Sequence, residues 1–598
     1  MKIVRALAFV ATFAASPSFA ASDGIQWNGW NKDLFSRATA EKRFVILDLE
    51  AVWCHWCHVM EKTTYSDPKV IGLMDSKFLP VKVDQDANPD LSNRYGDYGW
   101  PATIVFNSDG TEIAKVRGYI EPERMEALLK AVIEDPSPGP SVGEAFEVKP
   151  STSTFLPKEQ RAELIKNYNE AYDDKLGGWG DGQKYIDGDS MDYTMIHAEA
   201  GDATATQHAK QTFDAALVLI DPVWGGVFQY SEPGSWTHPH FEKIISFQSQ
   251  YLRQYSQAYA LWKDDKYLKG ASDIERYLTG FLMSPAGAFY VSQDADLNHD
   301  VDGHKYYALD DSERRKLGTP PVDKNVYARE NGWAISGLAA FYNVTNDPKV
   351  LAIAERAAQW IKDNRALADG GFRHGETDRG GPFLGDTLAM GQAFLDLYGA
   401  TGNREWLADA GRAADFIGTT FKDDSGGFFT SKTTEANVGV FAKPAKLMDD
   451  QGQVVRFMNL LSRYYGKDVY KDYATHAMKY LTGASADADR PWPGVLLADE
   501  ELATEPTHMT IVGQKDDPSG QTLFAAARAL PALYKRLEWL DPREGKLPNP
   551  DVEYPDMGKA AAFACSNRIC SFPAFSADEL QANVKQMAKL KPTRAAEN

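Results

Sequence analysis

The chain is poor in the features that define several large protein classes. It has no basic excess: 64 Lys and Arg stand against 84 Asp and Glu, a net charge of -20. Such a balance repels phosphate backbones and anionic lipid heads, and no basic cluster interrupts it, so nucleic acid and membrane surfaces are not its expected partners. Cysteine is scarce, with four in 598 residues, too few for a disulfide-built scaffold. The four fall in two close pairs, Cys54 with Cys57 and Cys565 with Cys570. Past residue 20 no apolar run is long enough to span a bilayer. The first twenty residues carry Lys2 and Arg5, an apolar run Ala6 to Ala15, and small residues around Ser18-Phe19-Ala20. That is the pattern of a secretory signal peptide (1–20), with a soluble mature protein expected from Ala21 in an exported compartment such as a bacterial periplasm. There both cysteine pairs can be disulfides. The length, at 43% hydrophobic, implies more than one domain.

What is present centres on Phe44 to Met60, FVILDLEAVWCHWCHVM. An apolar strand pattern leads into a tight turn and then the start of an apolar helical stripe. Cys54 is thereby expected at a helix N-terminus, where unpaired N–H groups and the helix dipole favour a thiolate, with Cys57 one turn along to close the disulfide. This predicts Cys54 as the exposed, acidic thiol and Cys57 as the buried one. Asp48, six residues earlier, is placed either as a buried carboxylate relaying the proton of the second thiol or as an edge carboxylate facing water. Cys-x-x-Cys is also compatible with a structural disulfide, and Cys-x-x-Cys-His with c-type haem, His58 being axial. Zinc on Cys54, Cys57, His55 and His58 is disfavoured, because such close neighbours on a regular helix cannot all reach one tetrahedral ion.

The stretch resembles the thioredoxin superfamily, and CHWCHVM resembles its branch fused to a helical toroid, the spermatogenesis-associated protein 20-like family. FLPVKVDQDANPDLSNRYG and GWPATIVFNSDG follow in the order the resemblance requires, which favours redox chemistry over haem. It implies a cis-proline loop at Trp100-Pro101, presenting backbone to a bound partner. It also implies that Cys54 attacks, Cys57 resolves and Asp48 assists proton transfer, with His55 and His58 stabilising the thiolate. Protein thiols or disulfides are the implied partners, and no cofactor beyond the redox-active disulfide.

The expected fold is multidomain: an α/β thioredoxin-like domain (21–135), a linker (136–150), an all-α (α/α)6-type toroid (151–500) and a small C-terminal α/β module (501–598). The toroid is suggested by long amphipathic helices separated by glycine-aromatic turns such as Gly177-Gly178-Trp179, Gly287-Ala288-Phe289 and Gly426-Gly427-Phe428, whose aromatics would plug the central mouth. This region resembles six-hairpin glycosidases and acylglucosamine epimerases, and carries the family pieces PHFEK (Pro239 to Lys243) and NGWAIS (Asn331 to Ser336). Candidate sugar-binding residues at the mouth are His238, His240, Glu242, Asp294, Asp296, His374 and Asp386, since aromatics stack on sugar rings and acids bind hydroxyls. Ser246-Phe247 and the stretch around Asp386 depart from the family's Tyr-Asp and LDDYA patterns, which removes an acid at each place. Asn298, Asp300, Asp302 and Gly303 open like a calcium loop, but position twelve is Leu309 rather than Glu. In the C-terminal module, strands are expected over Thr507 to Gly513 and Ala560 to Cys565, and helices over Leu523 to Leu533 and Asp578 to Met587. Cys565–Cys570 is either a staple or a redox relay, the latter requiring that this module dock near the thioredoxin face. The leading function is an exported thiol-disulfide oxidoreductase. The alternatives are a carbohydrate-active or carbohydrate-binding toroid with a structural thioredoxin domain, and a binding scaffold with a permanently oxidised Cys-x-x-Cys.

Overall fold

The computed structural model describes residues 24–143, 148–298, 300–377, 379–487, 490–566 and 569–589; the expected signal peptide lies outside them. The N-terminal domain is built from α1 (Leu34–Glu41), β1 (Phe44–Glu50), α2 (His55–Thr63), α3 (Pro68–Lys77), β2 (Phe78–Asp84), α4 (Pro89–Tyr95), β3 (Ala102–Phe106), β4 (Glu112–Arg117) and α5 (Pro122–Glu134). Its sheet has the order β2-β1-β3-β4. β1 lies parallel to β2, with Phe44 opposite Phe78, and antiparallel to β3, with Val45 opposite Phe106. β1 and β2 are buried on both faces, which is why they read as near-continuous apolar runs. The expected linker does more than span. Gly139 N–H donates to Ile113 O at 2.9 Å and Lys115 N–H to Ser141 Oγ at 3.0 Å, so this segment runs along β4.

The chain then alternates outer and inner helices: α6 (Lys158–Glu170), α7 (Gly188–Glu199) and α8 (Ala203–Ala216). Short strands β5 (Tyr230–Ser231), β6 (Pro239–His240) and β7 (Lys243–Ile244) precede α9 (Ile245–Trp262) and α10 (Asp265–Tyr277). An insertion follows, with β8 (Ser292–Gln293), α11 (Gly303–Tyr307), α12 (Asp311–Leu317) and β9 (Val322–Asp323). The alternation resumes with α13 (Ala328–Thr345), α14 (Pro348–Arg365), α15 (Leu384–Thr401), α16 (Arg404–Thr420), α17 (Met448–Tyr465), α18 (Asp468–Ala484) and α19 (Pro493–Ala503). The inner helices α7, α9, α13, α15, α17 and α19 pack in that order, and α19 closes on α7. The result is an (α/α)6 toroid.

Its connections repeat one device. After an outer helix an aspartate binds a lysine that also donates to a glycine carbonyl. Asp173 pairs with Lys184, Asp221 with Lys243 and Asp423 with Lys446, and the carbonyls belong to Gly177, Gly225 and Gly426. An amide side chain from the next inner helix then clamps the strand-like residue behind the glycines: Gln248 on Val227, Asn331 on Phe289, Gln451 on Phe428. Gly225, at φ +77°, needs its missing side chain, because a Cβ there would lie 2.0 Å from Asp273 O. The turn aromatics do not plug the mouth as expected. Phe289, Phe372 and Phe428 are buried between helices in the main core, because the amide clamps on Phe289 and Phe428, and the Thr387 hydroxyl on Phe372, turn them inward. Trp179 does face the central cavity.

The C-terminal module comprises β10 (Thr507–Val512), α20 (Pro518–Ala529), β11 (Lys535–Leu540), β12 (Ala561–Ser566), β13 (Ile569–Cys570) and α21 (Ala577–Ala588). Its order, β11-β10-β12-β13, has β10 parallel to β11 and antiparallel to β12. This is the connectivity of the N-terminal sheet over again, with no cysteine at the end of its first strand. β11 went unforeseen because KRLEWL carries buried charges: Arg536 and Glu538 pair with each other, and His508 lies 2.9 Å from Glu538.

The module does not dock near the thioredoxin face. α9, α13, α15 and α17 each run 18 residues, about 27 Å at 1.5 Å per residue. The start of α9 meets the N-terminal domain, Ile244 and Phe247 packing on Cys54 and Cys57. The far ends of the ring meet the C-terminal module, through Arg528 to Asn346 (2.6 Å), Lys515 to Gly402 O (2.7 Å) and Asn549 to Arg463 O (2.7 Å). Cys565 and Cys570 pair across the β12–β13 hairpin, a helix length from the other disulfide. A relay through a mixed disulfide is therefore excluded in this arrangement. Accordingly, a Cys57→Ser chain held in a partly reducing thiol buffer should yield no Cys54 link to Cys565 or Cys570 on peptide mapping; finding that link would require a different domain arrangement.

Candidate functional site

Asp48 and Glu50 share one face of β1, two residues apart, and both are buried. Lys82 lies opposite Asp48 in β2 and pairs with Glu50 at 3.4 Å and Glu61 at 3.3 Å. Burial pushes the Asp48 carboxyl up to about 6, with Lys82 pulling the other way. Burial, reinforced by Asp48, pushes Glu50 up to about 8. Glu50 and Lys82 escaped the sequence reading. The period of two that puts Glu50 beside Asp48 was the available signal.

Cys54 is the N-cap of α2, its Sγ accepting from Cys57 N–H at 3.1 Å, and the two cysteines form a disulfide. The Trp100–Pro101 peptide is cis. Contrary to expectation, Cys54 is no more open than Cys57, at 4% and 3% exposed. The toroid residues Ile244 and Phe247, with Trp53 and Trp100, cover the pair.

The toroid brings its own charges to this cover. β7 and β8 are antiparallel, Lys243 opposite Gln293, so Glu242, just before β7, and Asp294, just after β8, emerge together at the rim. Lys243 points the other way, 2.7 Å from Asp221 Oδ2, which Arg314 shares at 2.7 Å; this buried pairing anchors PHFEK. Glu242 Oε1 accepts from His55 N–H at 3.4 Å, His55 Nδ1 lies 2.6 Å from Asp296 Oδ2, and His58 Nε2 lies 3.9 Å from Asp294 Oδ2. Burial pushes Glu242 up to about 7 and Asp294 up to about 8. For Asp296 burial acts upward, but the hydrogen bond and charge of His55, the Gly303 N–H and the His58 charge together outweigh it and the carboxyl is lowered. The same bond raises His55, while burial lowers His58 and His240.

His374 and Asp386 belong to a second interdomain network. His374 Nδ1 lies 2.9 Å from Asp386 Oδ1 and its Nε2 2.7 Å from Asp86 O, while Trp53 Nε1 donates to Asp86 Oδ2 at 2.7 Å. His238 is exposed on a loop with Ser235, and His240 packs on the Tyr230 ring. Asn298 accepts from the Asp300 and Val301 amides, and Asp302 caps α11 and pairs with Lys305.

None of the seven candidate sugar residues lines the central cavity. That cavity, about 1470 Å³, is walled by Tyr185, Asp189, Trp333, Asp450, Arg490 and Trp492 among others. Burial pushes Asp189 and Asp450 each up to about 7. Both sit in the first turn of an inner helix, α7 or α17, a placement that becomes informative only once the ring is closed.

Fold and site together define a thioredoxin-like domain whose disulfide face is sealed against an (α/α)6 toroid. Residues 15–134 match the family model Thioredox_DsbH, described as "Protein of unknown function, DUF255". The chain is similar along most of its length to human spermatogenesis-associated protein 20, 22% identical over 93% of this chain and 89% of that protein. It is also similar to the Caenorhabditis elegans uncharacterized protein B0495.5, 23% identical over 78% and 81%. The thiol:disulfide interchange protein DsbD of Ralstonia nicotianae is 35% identical over 17% of this chain and 18% of its own. Among solved structures, cellobiose 2-epimerase from Bacillus thermoamylovorans superposes with a TM-score of 0.43 at 10% identity, covering 54% of this chain and 86% of that one.

Two expectations follow. Phe247→Ala should open the cover, so that dithiothreitol reduces Cys54–Cys57 several-fold faster while Cys565–Cys570, the internal reference, keeps its rate; equal acceleration of both would signal general loosening instead. Asp48 has a folded pKa above its unfolded value of 3.8, so the folded state holds the extra proton and stability falls as pH rises from about 4 to 6, by roughly 3 kcal/mol. Asp48→Asn should therefore be more stable than the parent at pH 7 in urea unfolding, with the gap closing below pH 4.

Proposed function

We propose that this chain is an exported thiol-disulfide oxidoreductase in which Cys54 exchanges with a partner protein and Cys57 resolves the mixed disulfide. The observation that carries this reading is the Cys54–Cys57 disulfide at the start of α2, with Asp48 buried in the strand leading to it. The match to a thioredoxin-like family model and the local likeness to DsbD support protein thiols or disulfides as partners. Export rests on the pattern of residues 1–20. In the reducing direction the Cys54 thiolate, favoured by the helix N-terminus, attacks one sulfur of a partner disulfide; that bond breaks and the partner's other sulfur leaves as a thiolate. Cys57, its proton passing toward the Asp48 carboxylate, then attacks Cys54 Sγ. This remakes the internal disulfide and frees the second partner thiol. Two electrons pass to the partner, and the oxidising direction is the reverse. Trp100 and Pro101 would present backbone to the partner, and His55 would stand beside the nucleophile. Because Ile244 and Phe247 cover the pair, the partner reaches it as a narrow segment or by displacing that edge of the toroid.

A second reading is favoured by the central cavity, whose Trp333, Trp492, Asp189 and Asp450 suit a carbohydrate. Thiol trapping by mass across a series of redox buffers tests the first. The Cys54–Cys57 couple should titrate above about -300 mV, and Cys54→Ser should abolish reduction of a protein disulfide. A couple below that value, together with sugar turnover that Asp450→Asn removes and Cys54→Ser spares, would transfer the activity to the toroid.

A further inference from the structure

Beside the disulfide lies a set of donors that pair with no lysine or arginine among the described residues. One donor atom each from His58, Asp294 and Asp296 lie within 4.8 Å of one another. Glu242 adjoins them, 4% exposed, and its Oε2 has no hydrogen-bond partner from any other described residue. The charged groups that act most strongly on Glu242, Asp294 and Asp296 are one another and the imidazoles of His55 and His58. From α2, Glu61 acts on His58 as well, and His240 lies within electrostatic reach of His55 and His304. The other interdomain donor set, Glu330, His374 and Asp386, differs in kind. There Arg329 donates twice to Glu330, and both nitrogens of His374 are engaged. That set is already neutralised within the fold. Glu330 Oε2 is likewise without a partner, but Arg329 supplies its counter-charge; beside the disulfide no lysine or arginine among the described residues does so, and the orphaned Glu242 oxygen carries a desolvation cost that a cation would relieve.

We propose that His58, Asp294 and Asp296, with the unpartnered Oε2 of Glu242 beside them, form a divalent-cation site. One imidazole nitrogen with carboxylate oxygens suits a first-row ion such as Zn2+ or Mn2+ rather than Ca2+. His55 supplies an outer partner by holding Asp296 at 2.6 Å, the usual means of orienting a ligating carboxylate. His58 is half-buried, which leaves an approach for the ion. His58 belongs to the thioredoxin-like domain and the three carboxylates to the toroid rim, so a bound ion clamps the cover over Cys54 and Cys57. The site stands on geometry independent of the redox reading.

The test uses the untagged full-length chain, oxidised and stripped with a chelator, titrated with Zn2+ or Mn2+ alone by calorimetry and thermal shift. One equivalent should bind with a rise in melting temperature, and the bound ion should slow dithiothreitol reduction of Cys54–Cys57 without affecting Cys565–Cys570. Asp294→Asn and His58→Gln should each weaken binding at least tenfold, with circular dichroism verifying that both remain folded. Asp300→Asn, in the neighbouring acidic loop, should leave binding unchanged. The site is refuted if neither ion binds the parent chain, or if binding survives Asp294→Asn and His58→Gln but is lost in Asp300→Asn. Because the disulfide stays closed during titration, neither result depends on whether the chain turns over thiols.

Discussion

The structure depends on one act of burial, the sealing of the disulfide face against the rim of the toroid. A thioredoxin-like sheet ends its first strand in a cysteine pair that, alone, would face water. Here Ile244 and Phe247 lie over Cys54 and Cys57, and farther along the same interface Phe441 enters the cluster of Trp30, Phe35 and Phe106. Arg94 donates to the carbonyls of Val440 and Lys443, and Gly439 lies so close to Gly110 that a Cβ on it would fall 2.2 Å from the Gly110 carbonyl oxygen. Apolar burial of this kind holds domains in one orientation, and that orientation turns a redox pair into the floor of an enclosed site.

Sealing has an electrostatic cost, and the two halves of the interface meet it differently. On one side Arg329 neutralises Glu330, while His374 bridges Asp386 to the Asp86 backbone. On the other, Asp296 and Asp294 face the imidazoles of His55 and His58 and Glu242 accepts from the His55 N–H, with no lysine or arginine paired to them among the described residues. Fixed counter-charges make the first side a permanent joint. The second is poised, since protons or a cation must supply what the fold does not.

Repetition explains how the rim is made rigid enough to do this. The Asp–Lys–glycine carbonyl clamp and the amide clamp recur around the ring. Each satisfies backbone groups that a turn between helices would otherwise leave unpaired. At Asp221 and Lys243 the clamp also fixes β7, which sends Glu242 toward His55 while its neighbour points into the core. The C-terminal sheet closes the opposite end of the same helices. Its hairpin disulfide therefore stands a ring's height from the active pair, although the two sheets share their strand order.

Much was legible because it is local. The period-two run from Phe44, the Cys54 cap, the proline after Trp100 and the alternation of glycine turns with amphipathic stretches each reflect neighbours within a few residues, where backbone sterics and helix geometry leave little choice. Asp48 could be put on the strand for the same reason, but whether it was buried or faced water was decided by the packing of β1 on both faces. The toroid's acids could not be placed. Glu242 and Asp294 are 52 positions apart and meet only through β7 and β8, whereas Asp189 and Asp450 meet in the cavity only because α19 returns to α7. β11 was hidden because its buried charges are neutralised by one another and by His508 and Asp551, which lie on either side of it in the chain. The sequence by itself determined which segments become strands and helices, and where the redox pair would cap one. The tertiary structure alone decided that the pair is covered, which acids face it and which face the cavity, because long-range packing selects one among many ways of burying the same apolar faces.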